Sequence, residues 1–225
     1  MIPQKLQHPD FRFILIKSNS KTPSEVQWQV KNNYPFNHQV MTGHNGNFGI
    51  VCGYGNLIVL DIDDIKYIDE FDKKLNTFSI KTGSGKRHYY FSCGEKFEKH
   101  YYILGNKAGE LRISKSQVVI PPSIHPNGNK YEVFNDVSIK DISKTELKEL
   151  LGELLKEVKF TDTSRSGIEW REVCTMIEAG YNFDEVDSEM RLLNCTKWNE
   201  SDLRYKLTTY CNALKSVKEN VPKYL

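Results

Sequence analysis

The chain has 225 residues and a formal net charge of +2, with 39% hydrophobic and 27% charged residues. This length is enough for one medium-sized core and a smaller module. The small net charge gives no evidence that the whole surface binds polyanions, so any nucleic-acid surface is limited to a local patch. No apolar run approaches the ~18–20 residues that span a bilayer and the N-terminus lacks a signal-peptide segment, so we expect an intracellular, cytoplasmic protein without a membrane partner.

The first elements in chain order are a strand, a short helix and a glycine-rich region. Residues 11–16 are predicted as a strand, which the turn-rich residues 17–23 end. Residues 24–32 are predicted as a short helix that carries Trp28. Residues 43–55 contain five glycines. That density is typical of a loop, a short strand and a hairpin turn, although it also lets the backbone approach a ligand closely.

The stretch Leu-Ile-Val-Leu-Asp-Ile-Asp-Asp at residues 57–64 is the centre of the predicted fold. Four apolar residues predict a buried strand. Side chains alternate along a strand at about 3.3 Å per residue, so Asp61 and Asp63 share one face with Cα atoms roughly 6.5 Å apart. Such a carboxylate pair favours a divalent cation, and Mg²⁺ is bound by one or two carboxylates plus substrate phosphates. The alternative is a polar turn that caps the next helix.

The remaining elements divide the chain into two predicted domains. Strands mixed with helices up to about residue 140 predict an α/β (α+β) first domain at residues 1–158, and residues 159–225 predict a small all-α helical bundle. The further elements of the first domain are predicted helices at 64–75 and 143–158 and strands at 77–80, 88–91, 110–113, 117–120 and 131–134. The helices of the bundle are predicted near 164–180, 182–193 and 200–219, with Gly180 and Asn194 as helix ends.

A glycine-bearing loop with two cations precedes the strand at 88–91. The sequence Gly-Ser-Gly-Lys-Arg at residues 83–87 offers backbone N–H groups that cradle phosphate oxygens and cations that neutralise them. The spacing differs from that of a Walker loop, and no helix follows. His88 shares a predicted sheet with the paired aspartates, which favours it as a phosphate donor. The alternative is an ordinary charged hairpin turn.

Further polar candidates lie beside the later strands. Glu110 opens a predicted strand and Arg112 shares its face, so the two belong either to a site or to an ion pair on a solvated strand. The sequence Pro-Pro-Ser at residues 121–123 predicts a rigid turn, at which Ser123 and His125 present polar atoms. A purely structural role of the turn, without any ligand, is the alternative.

Two kinds of site are not predicted. The five cysteines form no C-x-x-C pair and have no clustered histidine partner, which argues against a zinc site, and their odd number argues against a disulfide framework. No stretch matches G-x-x-x-x-G-K-[ST], so no helicase motor is predicted.

Four motifs follow one another within residues 10–135. They are Gly49…Gly53, the strand end Asp61-Ile-Asp63, Gly85-x-x-His88-Tyr-Tyr-Phe91 and Val118-Val-Ile-Pro-Pro-Ser-Ile-His-Pro-Asn-Gly…Tyr131. Their order and spacing resemble those of bifunctional DNA primase-polymerases of the archaeo-eukaryotic primase superfamily, in the branch found on archaeal plasmids, viruses and phages. The opening Lys21-Thr-Pro23…Trp28 is also similar. The tail resembles the helix-bundle domain of archaeal plasmid primases in two segments, Asp162-Thr-Ser-Arg-Ser-Gly-x-x-Trp170 and Trp198…Tyr205.

The resemblance implies a set of site residues. Asp61, Asp63 and Glu110 would be catalytic carboxylates that bind Mg²⁺ or Mn²⁺, with Glu110 standing where the family generally has an aspartate. The candidate nucleotide-binding residues are His88, Ser84, Lys86, Arg87, Arg112 and Ser123. The tail residues expected to contact template or the first nucleotide are Arg165, Trp170, Lys197, Arg204 and Lys206.

We therefore expect a DNA-dependent primase-polymerase with an RRM-like catalytic sheet. It would make and extend primers on single-stranded DNA from NTPs or dNTPs by two-metal nucleotidyl transfer. The expected partners are template, primer and nucleotides, and a separately supplied replicative helicase is a further candidate. The alternatives are a non-catalytic replication-initiation or single-strand-binding module of the same fold and a non-templated nucleotidyltransferase.

Overall fold

The computed structural model describes residues 1–97, 99–155, 165–193 and 195–220, without the side chains of residues 165–168, 196 and 218–220. The chain divides into two compact units, Met1–Val158 and Lys159–Leu225. The first mixes strands with helices, and the elements described in the second are helices, which confirms the predicted α+β class. Within the described ranges no helix is long and apolar enough to cross a bilayer.

The first unit contains ten strands and three α-helices in its described residues. The strands are β1 (Phe13–Ile16), β2 (Asn47–Val51), β3 (Leu57–Ile62), β4 (Ser79–Lys81), β5 (Arg87–Ser92), β6 (Tyr101–Ile103), β7 (Gly109–Arg112), β8 (Gln117–Ile120), β9 (Glu132–Asn135) and β10 (Lys140–Asp141). The helices are α1 (Gln39–Gly43), α2 (Ile65–Lys74) and α3 (Lys144–Leu151). Each predicted strand is present, with ends shifted by no more than two residues, a normal uncertainty of strand boundaries.

The strands form two sheets. The smaller has the antiparallel order β1-β2-β8. The larger has the antiparallel order β6-β7-β3-β5-β4-β9, and β10 pairs with β5 in parallel. Strand β3 lies near the middle because its first four residues are all apolar, and a strand covered on both faces needs such a run.

Helices α2 and α3 cover one face of the larger sheet. Ile58, Leu60 and Ile62 of β3 pack with Phe71 of α2 and Leu147 of α3 in one buried cluster. Each of these side chains contributes roughly 1.5–3 kcal/mol by leaving water. Because side chains alternate along a strand, the intervening residues of β3 point to the opposite face of the sheet. Helices α2 and α3 do not cover that face.

Both helices have N-terminal caps that the sequence supplies. The Asp64 side chain accepts from the Lys66 N–H, and Ser143 and Glu146 form a capping box at the start of α3. The predicted helix at 143–158 ends earlier, at Leu151, because Gly152 has a φ of 44°. A 3₁₀ turn continues to Leu155, and residues 156–158 lie outside the described chain.

The predicted helix at residues 24–32 is wrong. That segment consists of bends and turns, and Gln27 has a φ of 55°. The side-chain amides of Asn32 and Asn33 donate to the carbonyl oxygens of Val26 and Trp28. Asparagine side chains that bond nearby backbone in this way compete with helical hydrogen bonds, so turn chemistry prevails over the weak apolar periodicity.

The second unit contains α4 (Arg165–Glu178), α5 (Phe183–Leu192), α6 (Thr196–Glu200) and α7 (Leu203–Asn220). Helix α4 ends at Glu178, and the predicted stop Gly180 follows it with a φ of 88°, whereas the predicted stop at Asn194 lies outside the described residues. The predicted helix at 200–219 corresponds to α7, and α6 is an additional short helix before it.

A buried ionic cluster holds the second unit together. The Asp187 Oδ1 accepts from Trp198 Nε1 at 2.8 Å and from Lys206 Nζ at 2.9 Å, and Arg191 binds Oδ2 at 2.8 Å. Trp198 is fully buried and Lys206 is nearly so. Lys206 is therefore not available to DNA, contrary to the expectation from the sequence. Although burial alone would raise the pKa of Asp187, these hydrogen bonds lower it from 3.8 to about 2.

We expect Asp187→Asn to destabilise the protein by about 3 kcal/mol near neutral pH, because it leaves the buried Lys206 ammonium without its anionic partner. A folded-state pKa below the unfolded value means that Asp187 stabilises the fold fully above pH 3.8 and loses this contribution as the pH falls through about 2. The gap in melting temperature between the variant and the wild type should therefore narrow below pH 4. Asp184→Asn on the same helix is the control, and a gap that stayed constant down to pH 2 would contradict this account.

Candidate active site

Three neighbouring strands of the larger sheet bring polar side chains into one row. Asp61 of β3 stands opposite His88 of β5 on one side and opposite Glu110 of β7 on the other. Residues directly opposite each other in antiparallel strands share a face, so the row lies on the face away from α2 and α3. The register of the two pairings thus juxtaposes residues that are 27 and 49 positions apart in the chain.

Asp61 is a largely buried carboxylate flanked by basic side chains. Its Oδ1 lies 3.5 Å from His88 Nε2, and its Oδ2 accepts from Arg112 Nε at 3.2 Å. Arg112 also binds Glu110, with 2.8 Å between Nη2 and Oε2. Burial by itself would raise the pKa of Asp61, but His88, Arg112 and Lys21 outweigh it and hold that pKa below its usual value. The carboxylate is therefore ionised and ready to bind a cation at neutral pH.

Asp63 lies just past the end of β3. Its Oδ1 accepts from Lys86 Nζ at 2.7 Å, and both side chains are roughly two-fifths exposed. Lys86 belongs to the turn between β4 and β5, so this ion pair spans the mouth of the site. An ion pair with this exposure contributes only about 0–1 kcal/mol, and a ligand of higher charge can displace it.

These residues line a cavity of about 250 Å³ between the two sheets. Asp61, His88 and Arg112 come from the larger sheet, and Val118 and Val119 come from β8 of the smaller one. The full set of lining residues is Lys21, Asp61, Asp63, Thr82, Ser84, Lys86, His88, Arg112, Gln117, Val118, Val119 and Tyr131. A lining with two carboxylates and three cations suits a polyphosphate ligand accompanied by a divalent ion.

A family model for the N-terminal domain of bifunctional DNA primase/polymerases matches residues 5–150. The chain belongs to this family. The matched primase/polymerase domain includes every residue that lines the cavity. It supports a DNA primase or polymerase activity, and therefore the binding of DNA and nucleotides, in a family that generally uses divalent metals. No curated protein matches the chain.

Lys21 is a residue of the primase/polymerase site to which sequence reasoning assigned no role. It follows β1 in a turn, and it lines the cavity with Asp61 and Asp63. Burial is the main cause that lowers its pKa, and the neighbouring Lys86 and Arg112 add to the effect. The motif Lys-Thr-Pro belongs to the family resemblance, but only the packing of the two sheets shows that the ammonium group faces the carboxylates.

Arg87 requires a correction to the predicted nucleotide site. It lies on the opposite face of β5 from His88, where its Nε and Nη2 bind the two carboxylate oxygens of Asp72 at 3.0 and 2.7 Å. Its guanidinium carbon stacks 3.6 Å from the ring centroid of Phe134. Alternation along the strand separates Arg87 from the cavity, so it joins β5 to α2 and β9 and does not face a nucleotide.

Ser123 also requires a correction. Its hydroxyl is fully buried, accepts from the Phe48 N–H at 2.9 Å and donates to the Phe48 carbonyl at 3.3 Å. It does not line the cavity. The Pro-Pro-Ser turn therefore positions Ser123 to fasten the end of β8 to β2, which is the structural explanation that the sequence left open.

The carboxylates of the primase/polymerase domain fit a hard divalent ion only in part. Asp61 and Asp63 both line the cavity, and oxygen donors of this kind suit Mg²⁺ or Mn²⁺. Glu110 is about one-third exposed, is tied to Arg112 and does not line the cavity. Accordingly, in the described part of the chain no three His, Cys, Asp or Glu side chains are grouped as a set of metal ligands.

The tail residues occupy varied positions. Trp170 is half-buried on α4, Arg204 is exposed on α7, and the Lys197 ammonium lies 5.0 Å from the ring centroid of Tyr205. Arg165 is the first residue of α4, but its side chain lies outside the description, as do residues 162–164. Template contacts by these side chains stay predictions.

Proposed function

We propose that the chain is a DNA-dependent primase-polymerase that makes and extends primers on single-stranded DNA by two-metal nucleotidyl transfer. One observation carries this proposal. Asp61 and Asp63 both line a cavity in a primase/polymerase domain, together with Lys21, Lys86 and Arg112. That combination provides oxygen ligands for cations and counter-charges for a triphosphate in the same enclosure.

The side chains of the cavity divide the work between the ions and the nucleotide. Asp61 and Asp63 would hold Mg²⁺ or Mn²⁺ through their carboxylate oxygens. Ions bound there would supply Lewis-acid activation of the attacking 3′-hydroxyl and would neutralise the leaving pyrophosphate. Lys21, Lys86 and Arg112 neutralise the remaining phosphate charge, which requires Lys86 to release Asp63 when the nucleotide enters.

His88 and Ser84 orient the phosphates. His88 is buried, and its burial lowers its pKa, so the imidazole is neutral at pH 7 and donates from one nitrogen. Its Nδ1 is buried without a hydrogen-bond partner in the described structure, and an unpaired buried polar atom costs free energy. Ser84 lines the same cavity and offers a hydroxyl.

Glu110 is proposed as a third carboxylate that joins the metal site when the nucleotide is bound. It stands directly opposite Asp61 in the sheet, and its present partner, Arg112, lines the cavity. A triphosphate that attracts the Arg112 guanidinium would free the Glu110 carboxylate for an ion. Glutamate is one methylene longer than the aspartate general in the family, which gives it the reach for this movement.

A labelled-nucleotide extension assay on single-stranded DNA, with and without a primer, tests the proposal. Template-dependent product with Mg²⁺ or Mn²⁺ supports it, and comparing dNTPs with NTPs identifies the substrate. DNA binding without any product favours the non-catalytic replication module instead, and product whose sequence ignores the template favours a non-templated nucleotidyltransferase. A role in the replication of an archaeal plasmid, virus or phage, with a separate helicase, rests on the motif resemblance alone.

We expect His88→Ala to raise the KM for the nucleotide by about tenfold or more, because a charge-assisted hydrogen bond to phosphate contributes roughly 1.5–3 kcal/mol. Affinity for single-stranded DNA should remain within about twofold of the wild type, as measured by fluorescence anisotropy. His125→Ala is a suitable control because His125 does not line the cavity. If His88→Ala lost template affinity while keeping its nucleotide KM, His88 would belong to a DNA site.

A further inference from the structure

A second groove lies beside the catalytic cavity, at the ends of β4 and β9. Its volume is about 610 Å³. Its walls are the turn at residues 82–85, the turn at residues 127–130, and the side chains of Lys81 and Glu132. Thr82 and Ser84 line both the groove and the cavity, so the two spaces are adjacent. The nucleotide and metal roles proposed above leave this groove unused.

The groove is preformed because its two turns are fastened to each other. The side-chain amides of Asn127 and Asn129 both donate to the Gly83 carbonyl, at 3.0 and 2.9 Å. A side chain at position 83 would collide with His125 Cβ, so glycine is required for the turns to pack this closely. A rigid groove of this kind loses little conformational entropy when a ligand binds.

The chemistry of the walls fits a ligand of low charge with phosphate and sugar oxygens. Apart from two lysines opposed by one glutamate, the described lining consists of amide, hydroxyl and glycine groups. A nucleoside triphosphate carries about four negative charges and suits the cavity, which Lys21, Lys86 and Arg112 line. Phosphodiesters carry one charge each, and proteins contact them through arginine and lysine, through hydroxyl and amide side chains, and through backbone N–H groups.

We propose that this groove binds the last phosphodiesters of the growing strand, just behind its 3′ end. The inference rests on the proposed function. In-line transfer requires the 3′ oxygen of that strand to lie beside Asp61 and Asp63. The phosphodiesters follow directly behind the 3′ end, so a growing strand that leaves the cavity past Thr82 and Ser84 places its first phosphodiesters in the groove.

The test is a double charge reversal, Lys81→Glu with Lys130→Glu, in the full-length protein. Both lysines are exposed and neither lines the cavity, so the variant should fold and bind nucleotides as the wild type does. The matched control reverses two exposed lysines of α2 and α3, Lys73→Glu with Lys148→Glu. Binding of a primer–template duplex and of the unprimed template is measured by anisotropy at several salt concentrations, without nucleotide.

The expected result is a loss of about tenfold or more in primer–template affinity. The slope of log affinity against log salt concentration should also become shallower, by about 0.7–0.9 for each phosphate that the variant no longer neutralises. Affinity for the unprimed template, the nucleotide KM and the behaviour of the control should be unchanged. Unaltered primer–template binding would overturn the proposal. An equal loss of affinity for the unprimed template would assign the groove to the template strand. A loss confined to synthesis on unprimed template would assign the groove to the triphosphate of a second nucleotide. Either outcome would also overturn the proposal.

The binding measurement keeps this inference separate from the proposed function. If the wild type bound primer–template duplexes but made no product, the polymerase function would fail while the groove could still be judged from affinity and salt dependence. If the wild type extended primers and the double variant bound them normally, only the groove would be discarded.

Discussion

Replacing Asp61 or Asp63 by asparagine is expected to reduce primer extension on the order of 10³-fold, because losing a metal ligand removes several kcal/mol of transition-state stabilisation. Asparagine has nearly the same shape, and at position 61 it retains an oxygen for the Arg112 Nε–H. The fold should therefore persist, and the loss should fall mainly on kcat. Single-turnover extension with saturating Mg²⁺ or Mn²⁺ measures this effect.

Asp64→Asn is the matched control for this pair of variants. Asp64 is the next aspartate in the chain, but it caps α2 by accepting from the Lys66 N–H and does not line the cavity. Asparagine caps a helix about as well as aspartate, so extension should stay within about twofold of the wild type. Near wild-type extension in Asp61→Asn or Asp63→Asn would contradict the two-metal assignment. An equal loss of extension in Asp64→Asn would indicate a general disturbance of β3.

Removing the Asp61 carboxylate is not expected to stabilise the protein. Two carboxylates on one face of a strand repel each other where no cation neutralises them. In the structure His88 and Arg112 flank Asp61, and Lys86 pairs with Asp63. The pKa of Asp61 is lowered, which means that its surroundings favour the charged form. We therefore expect the melting temperature of Asp61→Ala to fall.

Truncation after residue 158 is expected to separate primer synthesis from primer extension. Starting a primer requires two nucleotides and a template to be held together without a duplex, and a second binding unit on the same chain raises their effective concentration. Without residues 159–225, formation of new primers should fall on the order of 10²-fold, whereas extension of existing primers should change little. Both activities are measured in parallel on the same template.

Point variants in the tail show whether its cations cause this difference. Arg204→Ala and Arg165→Ala should each reduce primer synthesis by a few-fold without changing extension, and Lys148→Ala in the first unit is the control. Melting curves of the truncated protein establish whether residues 1–158 remain folded. If the truncated protein made primers as efficiently as the full chain, the tail would serve only to stabilise the first unit.

The amino-acid sequence was enough to predict most of the elements and to single out two carboxylates that line the cavity. The apolar run before Asp61 predicts β3, and alternation along a strand places Asp61 and Asp63 on one face. The order and spacing of four motifs carry the family resemblance, which the family model bears out. These features depend on residues close together in the chain, and local patterns report such relations directly.

The three-dimensional structure was needed to show which polar groups meet. The register of β3 with β5 and β7 sets Asp61 opposite His88 and Glu110, and no local pattern encodes that register. The packing of the two sheets likewise brings Lys21 into the cavity and buries Ser123 against β2. Lys206, which the sequence suggests as a DNA contact, pairs with Asp187 inside the helical unit.

Lys86 and Arg87 show, at two adjacent positions, the difference between what the sequence predicts and what the tertiary structure decides. The sequence presents them as equivalent cations of one loop, yet Lys86 reaches Asp63 at the mouth of the cavity and Arg87 binds Asp72 on the opposite face of the sheet. The difference arises because Arg87 is the first residue of β5 and must point to one face, where α2 supplies a carboxylate. Charge and spacing can be read from the sequence, but the partner of each charge is set by the elements that pack around it.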